Sequence, residues 1–291
     1  DLKTQALAQL LHSPLRCDVD HALIQFAGPH LEQVTKYKGS PNCAYIFSEN
    51  APLTTAQVKN LAAFDVLIAG SEWNAEVIQE TGLRCAAVPQ GVDRAVFRPQ
   101  PRIVMRDKFI IYSGGKYEHR KAQDLVIRAV KVLQQRHDNI ELVASWFNIW
   151  ADSDPYADAR REGLRIAGLP LLSPNELCSY MNQSDVGLFP NRCEGGTNLM
   201  LMNYLACGKP VVARFTTGQK DVLDASYALD CGGEDDACVE EMVDGVERLY
   251  ANKGERASRG RLAGMAMDAF PWKRTADGIL AAIEARECVA A

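Results

Sequence analysis

The sequence of 291 residues lacks several features that would place it in whole classes of protein. It has no apolar run of about 18 residues, the length that a membrane-spanning helix needs, so we expect no membrane span. Its net charge of -5 gives no indication of bulk nucleic-acid binding. It shows no internal repeat and no low-complexity tract. Residues 1–4 also lack the charged-then-apolar form of a signal peptide.

Metal-binding residues are present, but none has a spacing typical of a metal site. The nine cysteines include no Cys-x-x-Cys pair, and the five histidines show no ligand spacing. We therefore expect the cysteines to be small core residues rather than a disulfide framework or a zinc site. Such cysteine usage is typical of a reducing compartment, so we expect a cytoplasmic protein.

Predicted strands and helices alternate along the chain, which indicates parallel sheets with helices on both faces. Prolines and charges without periodicity at 94–107 predict a linker, and the alternation restarts after it. The predicted strands are 18–26, 43–47, 64–69, 84–88, 109–112, 140–144, 186–189 and 211–213. The predicted helices are 54–63, 71–79, 122–135, 198–206, 237–250, 254–269 and 272–285, with another starting at Ser173. We infer an α/β protein with two Rossmann-like domains facing a central cleft, where ligands lie beyond the carboxyl ends of the strands.

One loop carries the strongest indication of a ligand site. The predicted strand 185–189 ends at Pro190, and Cys193-Glu194-Gly195-Gly196-Thr197-Asn198 then opens an apolar helix. Glycines allow a ligand to approach the backbone closely, and a helix start offers unpaired N–H groups and a positive dipole end. This combination suits a diphosphate with Glu194 beside it. The alternative is an ordinary tight turn in which Thr197 serves only as a helix N-cap.

A second glycine turn follows the first strand of the second domain. Ser113-Gly114-Gly115 is followed by Lys116 and Lys121, which could both reach one diphosphate as point charges. The alternative is a loop with two solvated lysines. Two such loops in one domain, one basic and one rich in helix-start donors, favour a shared diphosphate site.

With these motifs the chain resembles the retaining GT-B glycosyltransferases of the family 4-like, group 1 type. That family includes sucrose-phosphate synthases and bacterial mannosyl- and glucosyltransferases. The resemblance covers about residues 65–285 and is most specific at Ala206-Cys207-Gly208-Lys209-Pro210-Val211-Val212. It implies a short acceptor-side domain at 1–99, a nucleotide-sugar domain at 100–269, and a helix at 270–291 that crosses back to the first domain.

The resemblance also implies roles for individual residues. Glu194 would contact the donor sugar near its reacting carbon, and Lys116 and Lys121 would bind the diphosphate. Asn203 stands where the family has a ribose-binding glutamate, so its contact loses charge-assisted strength, and the preceding loop is one residue longer. Leu172, with its neighbour Leu171, would frame the base. The backbone N–H groups expected to hold the distal phosphate belong to Gly196, Thr197, Asn198 and Leu199.

The implied reaction is transfer of a hexose from a nucleotide sugar, UDP- or GDP-linked, to an acceptor hydroxyl with retention at the sugar carbon. Lys116, Lys121 and the helix start would stabilise the departing diphosphate without a metal and without a cofactor. The acceptor, a carbohydrate, a lipid-linked molecule or another hydroxyl compound, would enter from the first domain. The implied protein is cytoplasmic, free or peripheral to a membrane, and has no nucleic-acid partner.

The first domain departs most from the family. Tyr45-Ile46-Phe47-Ser48-Glu49-Asn50 stands where a sugar-binding histidine is expected, so Glu49 is a candidate sugar contact or acid/base group. N-capping or simple solvation is the alternative role for Glu49. His30 is a weaker candidate, and a surface histidine is its ordinary alternative.

Two other functions fit parts of the pattern. Asn203 and the short first domain would also suit a non-catalytic sugar-nucleotide or glycan-binding module. An epimerase on the same scaffold would need a set of carboxylates around the sugar, which the sequence supplies poorly. Asp152-Ser153-Asp154 is similar to the metal-binding Asp-x-Asp of a different transferase fold, but the surrounding chain does not support that fold.

Overall fold

The computed structural model describes residues 17–103, 107–148 and 154–290. Contacts divide the chain into two compact units, the first formed by Asp1–Gln90 with Lys273–Ala291 and the second by Gly91–Trp272. The sequence interpretation set the domain boundaries at 99–100 and 269–270. Both units contain parallel strands and helices, so the α/β class is confirmed.

The first unit contains a four-stranded parallel sheet in the order β2-β4-β5-β6 and a separate parallel pair, β1-β3. The predicted strand 18–26 is interrupted, because the chain bends at the exposed residues Asp20 and His21. The strands are β1 Cys17–Asp18, β2 Leu23–Phe26, β3 Tyr37–Lys38, β4 Asn42–Ile46, β5 Val66–Ala69 and β6 Ala86–Ala87. The helices are α1 Thr55–Leu61, α2 Glu72–Gln79 and the C-terminal α9 Trp272–Ala290.

The central strand β4 is buried along its whole length, with different neighbours on its two faces. Ala44 and Ile46 belong to one cluster with Ile78 of α2. Cys43 and Tyr45 belong to another cluster with Ile283 of α9. Since successive strand residues point to opposite faces, a continuous apolar run is what a sheet covered on both sides requires.

Side-chain caps fix the starts of α1 and α2. Thr54 caps α1 in a reciprocal capping box with Gln57. The hydroxyl of Ser71 accepts the backbone N–H of Asn74 at 3.1 Å and caps α2, as the sequence predicts. Such caps satisfy amide donors that have no partner inside the helix.

The second unit is built on six parallel strands in the order β12-β11-β10-β7-β8-β9. If the six strands are numbered from one in chain order, their order in the sheet is 3-2-1-4-5-6. Strands β7 to β9 follow one another in one direction across the sheet, and β10 to β12 follow in the opposite direction. Such sheets bind ligands where the direction changes, here between β7 and β10. The strands are β7 Phe109–Lys116, β8 Ile140–Phe147, β9 Ile166–Gly168, β10 Val186–Phe189, β11 Val211–Ala213 and β12 Ala228–Asp230. The helices are α3 Gln123–Arg136, α4 Ala157–Arg161, α5 Pro174–Gln183, α6 Leu199–Ala206, α7 Asp235–Ala251 and α8 Lys253–Ala266.

Helix α6, predicted to be buried because it is apolar all round, lies in the core of the second unit. Leu201, Met202, Tyr204 and Leu205 are fully buried. The ring of Tyr204 stacks on that of Tyr112 in β7 with centroids 5.1 Å apart. This packing holds α6 against β7.

The cysteines whose side chains the structure describes are free thiols, as expected. Five of them are buried core residues: Cys43, Cys178, Cys207, Cys231 and Cys238. Within the described ranges, no helix has the length and apolar content to cross a bilayer.

Replacement of Gly187 tests the packing of β10 against α6. A Cβ at Gly187 would lie 2.6 Å from Cε1 of Tyr204, so we expect Gly187→Ala to lower the free energy of unfolding by about 1–3 kcal/mol. The control is Gly254→Ala, whose Cβ would meet only Oδ1 of Asn252 at 3.5 Å and which should not destabilise the protein. Urea-unfolding curves measure both changes, and equal midpoints for the two variants would contradict this packing.

Candidate functional site

The candidate site lies where β7 and β10 end, at the reversal of strand order in the second unit. Gly114 and Gly115 are at the end of β7, and the loop Pro190–Asn198 follows β10. A Cβ at Gly114 would lie 2.6 Å from Oη of Tyr112 and 2.7 Å from Oγ of Ser145, so no side chain fits there. Gly115 has a φ of +128°, which disfavours other residues. Both glycines of this turn therefore have a structural requirement.

Glu194 is a buried carboxylate, 5% exposed, and both of its oxygens are paired. Oε1 accepts hydrogen bonds from Nζ of Lys121 and Nδ2 of Asn191. Oε2 accepts from Nη1 of Arg120 at 3.2 Å. A buried carboxylate is tolerated only when charge and hydrogen bonds compensate it, and here two cations do so.

The backbone of Glu194 is fixed as well. Its N–H donates to Oγ1 of Thr217 at 2.8 Å, and its carbonyl accepts the N–H of Gly218 at 3.0 Å. The position of the carboxylate is therefore set by three segments of the chain: the loop after β10, the turn after β7 and the turn that begins at Thr217.

The two lysines predicted to bind a diphosphate differ in their surroundings. The side chain of Lys121 is 12% exposed and pairs with Glu194. That of Lys116 is 37% exposed, and its Nζ lies 3.9 Å from Oε1 of Glu118. Arg120, which the sequence interpretation did not select, bridges Glu118 and Glu194. Its position in an unbroken run of basic residues, 119–121, was the available signal.

Arg192 links the loop that follows β10 to the loop that follows β7. Its guanidinium donates to Asp124 of α3 and to Asp235 of α7, each at 2.7 Å, and to the carbonyl of His119 at 2.6 Å. The backbone N–H of Arg192 also donates to the carbonyl of Arg120 at 2.8 Å. Hydrogen bonds and the charges of the two carboxylates raise the pKa of Arg192. The hydrogen bond from Arg192 is in turn the main cause that lowers the pKa of Asp235.

Asn198, rather than Thr197, caps the start of α6. Its Oδ1 accepts the N–H of Leu201 at 3.3 Å, and its Nδ2 donates to Oε1 of the fully buried Gln219 at 2.8 Å. Thr197 is buried, with Oγ1 3.0 Å from Sδ of Met202. Because α6 begins at Leu199, the N–H groups of its first turn have no acceptor within the helix. The glycine pair Gly195–Gly196 lies buried just before this cap.

Strained backbone is concentrated around this site. Among the described residues, four that are not glycine have a positive φ, and three of these are Ala122, Asn198 and Thr217, at 56°, 63° and 44°. Ala122 directly follows Lys121, Asn198 caps α6, and Thr217 accepts the backbone N–H of Glu194. Such strain persists only where surrounding contacts over-determine it, which is typical of functional sites.

Asn203, predicted to contact the ribose, lies on α6, and Leu172, predicted to contact the base, lies beside this helix. Asn203, Leu199 and Met200 are the partly exposed residues of this otherwise buried helix, and the spacing of Leu199 and Asn203 places them on one side of it. Met200 lines a small cavity of about 50 Å³ together with Leu172 and Phe147. The neighbouring Trp146 is in the core, where its Nε1 donates to Oγ of Ser113.

In the first unit, Glu49 is exposed and follows the carboxyl end of β4. It lines a depression of about 430 Å³ that His30 also lines. The structure thus brings together the two candidates that the sequence interpretation selected separately in this unit.

Within the described ranges, no group of three or more His, Cys, Asp or Glu residues is arranged to hold a metal ion. In the Asp-x-Asp sequence at 152–154, the first two residues lie outside the described ranges. Asp154 pairs with Arg160 and accepts the N–H of Tyr156 at 3.0 Å.

The architecture is that of the GT-B glycosyltransferases. The chain is similar to the structure of Anabaena HepE in complex with UDP and glucose, with a TM-score of 0.69 and 16% identity over 84% of this chain and 71% of that one. The chain belongs to the family described as Glycosyl transferases group 1, which matches residues 107–252 and so includes the loops of the site.

Curated relatives carry the names of glycosyltransferases. A D-inositol 3-phosphate glycosyltransferase of Paenarthrobacter aurescens is 27% identical over 66% of this chain and 50% of its own. A GDP-mannose-dependent alpha-(1-6)-phosphatidylinositol monomannoside mannosyltransferase of Mycolicibacterium smegmatis is 27% identical over 64% of this chain and 52% of its own. The chain therefore spans about half the length of the curated relatives it matches.

The hydrogen bond from Arg192 to Asp235 predicts how the Asp235 carboxyl titrates. A carboxylate whose pKa is lowered on folding adds stability above its unfolded pKa, and this is lost as the pH falls through the folded pKa. Arg192→Gln should raise the pKa of Asp235 towards the ordinary value, and Arg214, 3.4 Å away, should limit the rise. An NMR titration of the Asp235 carboxyl carbon measures this change in pKa.

The matched control for this titration is Arg128→Gln, because Arg128 pairs with the adjacent Asp236 at 2.6 Å. This variant should leave the midpoint of Asp235 unchanged. A midpoint that is insensitive to Arg192→Gln would show that Arg192 does not hold Asp235 in solution.

Proposed function

We propose that this protein transfers a hexose from a nucleotide sugar to an acceptor hydroxyl. The observation that carries the proposal is the buried Glu194, held by Lys121 and Arg120 beside the start of α6. Family membership supports transfer of a glycosyl group, and the name of the mycolicibacterial relative supports a nucleotide-sugar donor.

The proposed reaction breaks the bond between the anomeric carbon of the sugar and the oxygen that joins it to the distal phosphate. The electron pair of that bond leaves with the nucleoside diphosphate, so negative charge grows on the phosphate oxygen. Lys121, Lys116 and the N–H groups at the start of α6 stabilise this charge, since preorganised donors aimed at developing charge lower the barrier. The acceptor oxygen then forms the new bond, and its hydroxyl proton passes to the departing phosphate oxygen. Retention of configuration and independence of metal ions are part of the proposal.

In this scheme Glu194 has two functions. Its pairing with Lys121 and Arg120 holds both cations at the carboxyl edge of the sheet. A diphosphate that binds at the start of α6 competes with Glu194 for Lys121. The carboxylate oxygen released by this competition accepts a hydrogen bond from a hydroxyl of the donor sugar. The donor therefore helps to arrange its own sugar contact.

The remaining parts of the donor fit beside α6. Phe147, Leu172 and Met200 line the cavity to which we assign the base. Asn203, on the partly exposed face of α6, is assigned to the ribose. For the acceptor we propose the depression in the first unit that Glu49 and His30 line. We assign the protein to the cytoplasm, free or peripheral to a membrane.

Binding and turnover measured on matched variants test the donor site. We expect Lys121→Met to weaken the binding of UDP, GDP or ADP, whichever binds best, by about tenfold or more. Glu194→Gln should bind that diphosphate at least as tightly as the unmodified protein, because its neutral amide no longer competes for Lys121. It should nevertheless lose about a hundredfold or more in transfer or donor hydrolysis. Calorimetry and product analysis measure the two effects.

Lys131→Met is the control, because Lys131 is half-exposed on α3 and pairs with Glu162 outside the site. It should change neither binding nor turnover. No binding of any of the three diphosphates would contradict the proposed function. Unchanged turnover in Glu194→Gln would remove Glu194 from its role.

Substitution of Asn203 tests the proposed ribose contact through an expected gain in affinity. A charged acceptor contributes about 1 kcal/mol more to a hydrogen bond than a neutral amide. Asn203→Glu should therefore tighten nucleoside diphosphate binding about fivefold. The gain should disappear with a 2′,3′-dideoxynucleoside diphosphate, which lacks the ribose hydroxyls. An equal gain with both ligands would contradict the ribose contact.

The amide at position 203 also favours a second candidate function, a non-catalytic sugar-nucleotide-binding module. That function predicts diphosphate binding through Lys121 with neither donor hydrolysis nor transfer to any acceptor. Donor turnover that depends on Glu194 rules it out.

A further inference from the structure

A second cavity, of about 700 Å³, lies at the opposite edge of the second-unit sheet. Four of its lining residues stand at the starts of four central strands: Phe109 of β7, Asn139 before β8, Asp185 before β10 and Pro210 before β11. In a parallel sheet all strands start at one edge and end at the other. The cavity is therefore separate from the site around Glu194, which follows strand ends.

Positive charge dominates the lining of this cavity. Its cationic residues are Arg102, Lys108, Lys209, Lys253 and Arg256, whereas its acidic residues are Asp107 and Asp185. Lys108 pairs with Glu141 at 2.8 Å, which accounts for one of the cations. The others surround a single buried carboxylate or face the opening.

Asp185 is this buried carboxylate, and three cations share it. Its Oδ1 lies 2.5 Å from Nη1 of Arg102 and 3.7 Å from Nε of Arg256, and its Oδ2 accepts the N–H of Ile110. The ammonium of Lys209, also attracted by Asp185, donates to the carbonyls of Asn182 and Ser184 at 2.7 and 2.9 Å. One negative charge therefore faces three positive charges in a poorly solvated region.

Two further observations agree with unbalanced positive charge. The pKa of Lys209 is lowered, first by burial and also by the charges of Arg102 and Arg256. Arg102 has a buried Nε that finds no hydrogen-bond partner in the part of the chain that the structure describes.

We infer that this cavity binds a small phosphate-bearing anion through Lys209, Lys253, Arg256 and Arg102. A phosphate supplies several acceptor oxygens and up to two negative charges, which matches the surplus cations of the lining. The volume is that of a small-molecule site and leaves room for an organic group attached to the phosphate. Lys253 is exposed at the first residue of α8, where it reaches the cavity without a structural role in the core. Binding joins the strand starts to α8 and stabilises the second unit.

Thermal unfolding of the whole protein tests the inference. The ligands are inorganic phosphate and glucose 6-phosphate, each compared with sodium chloride at equal ionic strength. Either phosphate should raise the melting temperature more than chloride does. Stronger stabilisation by glucose 6-phosphate would identify a phosphorylated metabolite, and equal stabilisation would identify the free anion. No difference from chloride would overturn the inference, because screening alone would then explain the effect.

Variants show whether this cavity or the donor site causes the response to phosphate. Lys253→Ala should weaken phosphate binding about fivefold, and Lys253→Glu should weaken it further, because this lysine is exposed and its loss leaves the core intact. Lys209→Met should abolish the response if the variant folds, and the Lys253 pair decides the matter if it does not. Lys131→Ala is the control and should keep the full response, and Lys121→Met should keep the part of the response that depends on Lys253. Loss in Lys121→Met with retention in Lys253→Glu would place the anion at the donor site and overturn the inference.

Discussion

The pairing of the buried Glu194 carboxylate with Lys121 and Arg120 is the interaction on which the rest of the second unit depends. A charge at this depth is stable only if its partners are held in place. The loops after β7 and β10 must therefore meet, which the 3-2-1-4-5-6 strand order achieves by making these strands neighbours. Arg192 then joins both loops to α3 and α7.

The two edges of this sheet differ in how they balance charge. At the carboxyl edge, Glu194 and Glu118 pair with the basic residues of the loop after β7, and the start of α6 adds partial positive charge. At the amino edge, Asp185 is shared among several cations, and the described residues place no comparable second carboxylate at the centre. In the functions that we propose, an anionic donor competes for existing ion pairs at the first edge, whereas an anion at the second edge balances surplus positive charge.

Much of the fold could be predicted from local pattern, because apolar strands such as β10 and caps such as Ser71 depend on neighbouring residues. The short strands β9 and β12 were missed, since three residues with exposed members carry little periodicity. The site loops were predicted as well, but Arg120 and the contacts of Arg192 with Asp124 and Asp235 were not. Those contacts join residues 68 and 43 positions apart, and their formation depends on the strand order. Asn198 caps α6 with a left-handed backbone, which composition does not reveal.

A crystal structure of the protein with a bound nucleoside diphosphate tests the central claim most directly. The account predicts the distal phosphate within hydrogen-bond distance of Nζ of Lys121 and of the backbone N–H groups at 196–199, with one Glu194 oxygen released from Lys121. A diphosphate bound elsewhere on the second unit, with the pair between Glu194 and Lys121 unchanged, would contradict it.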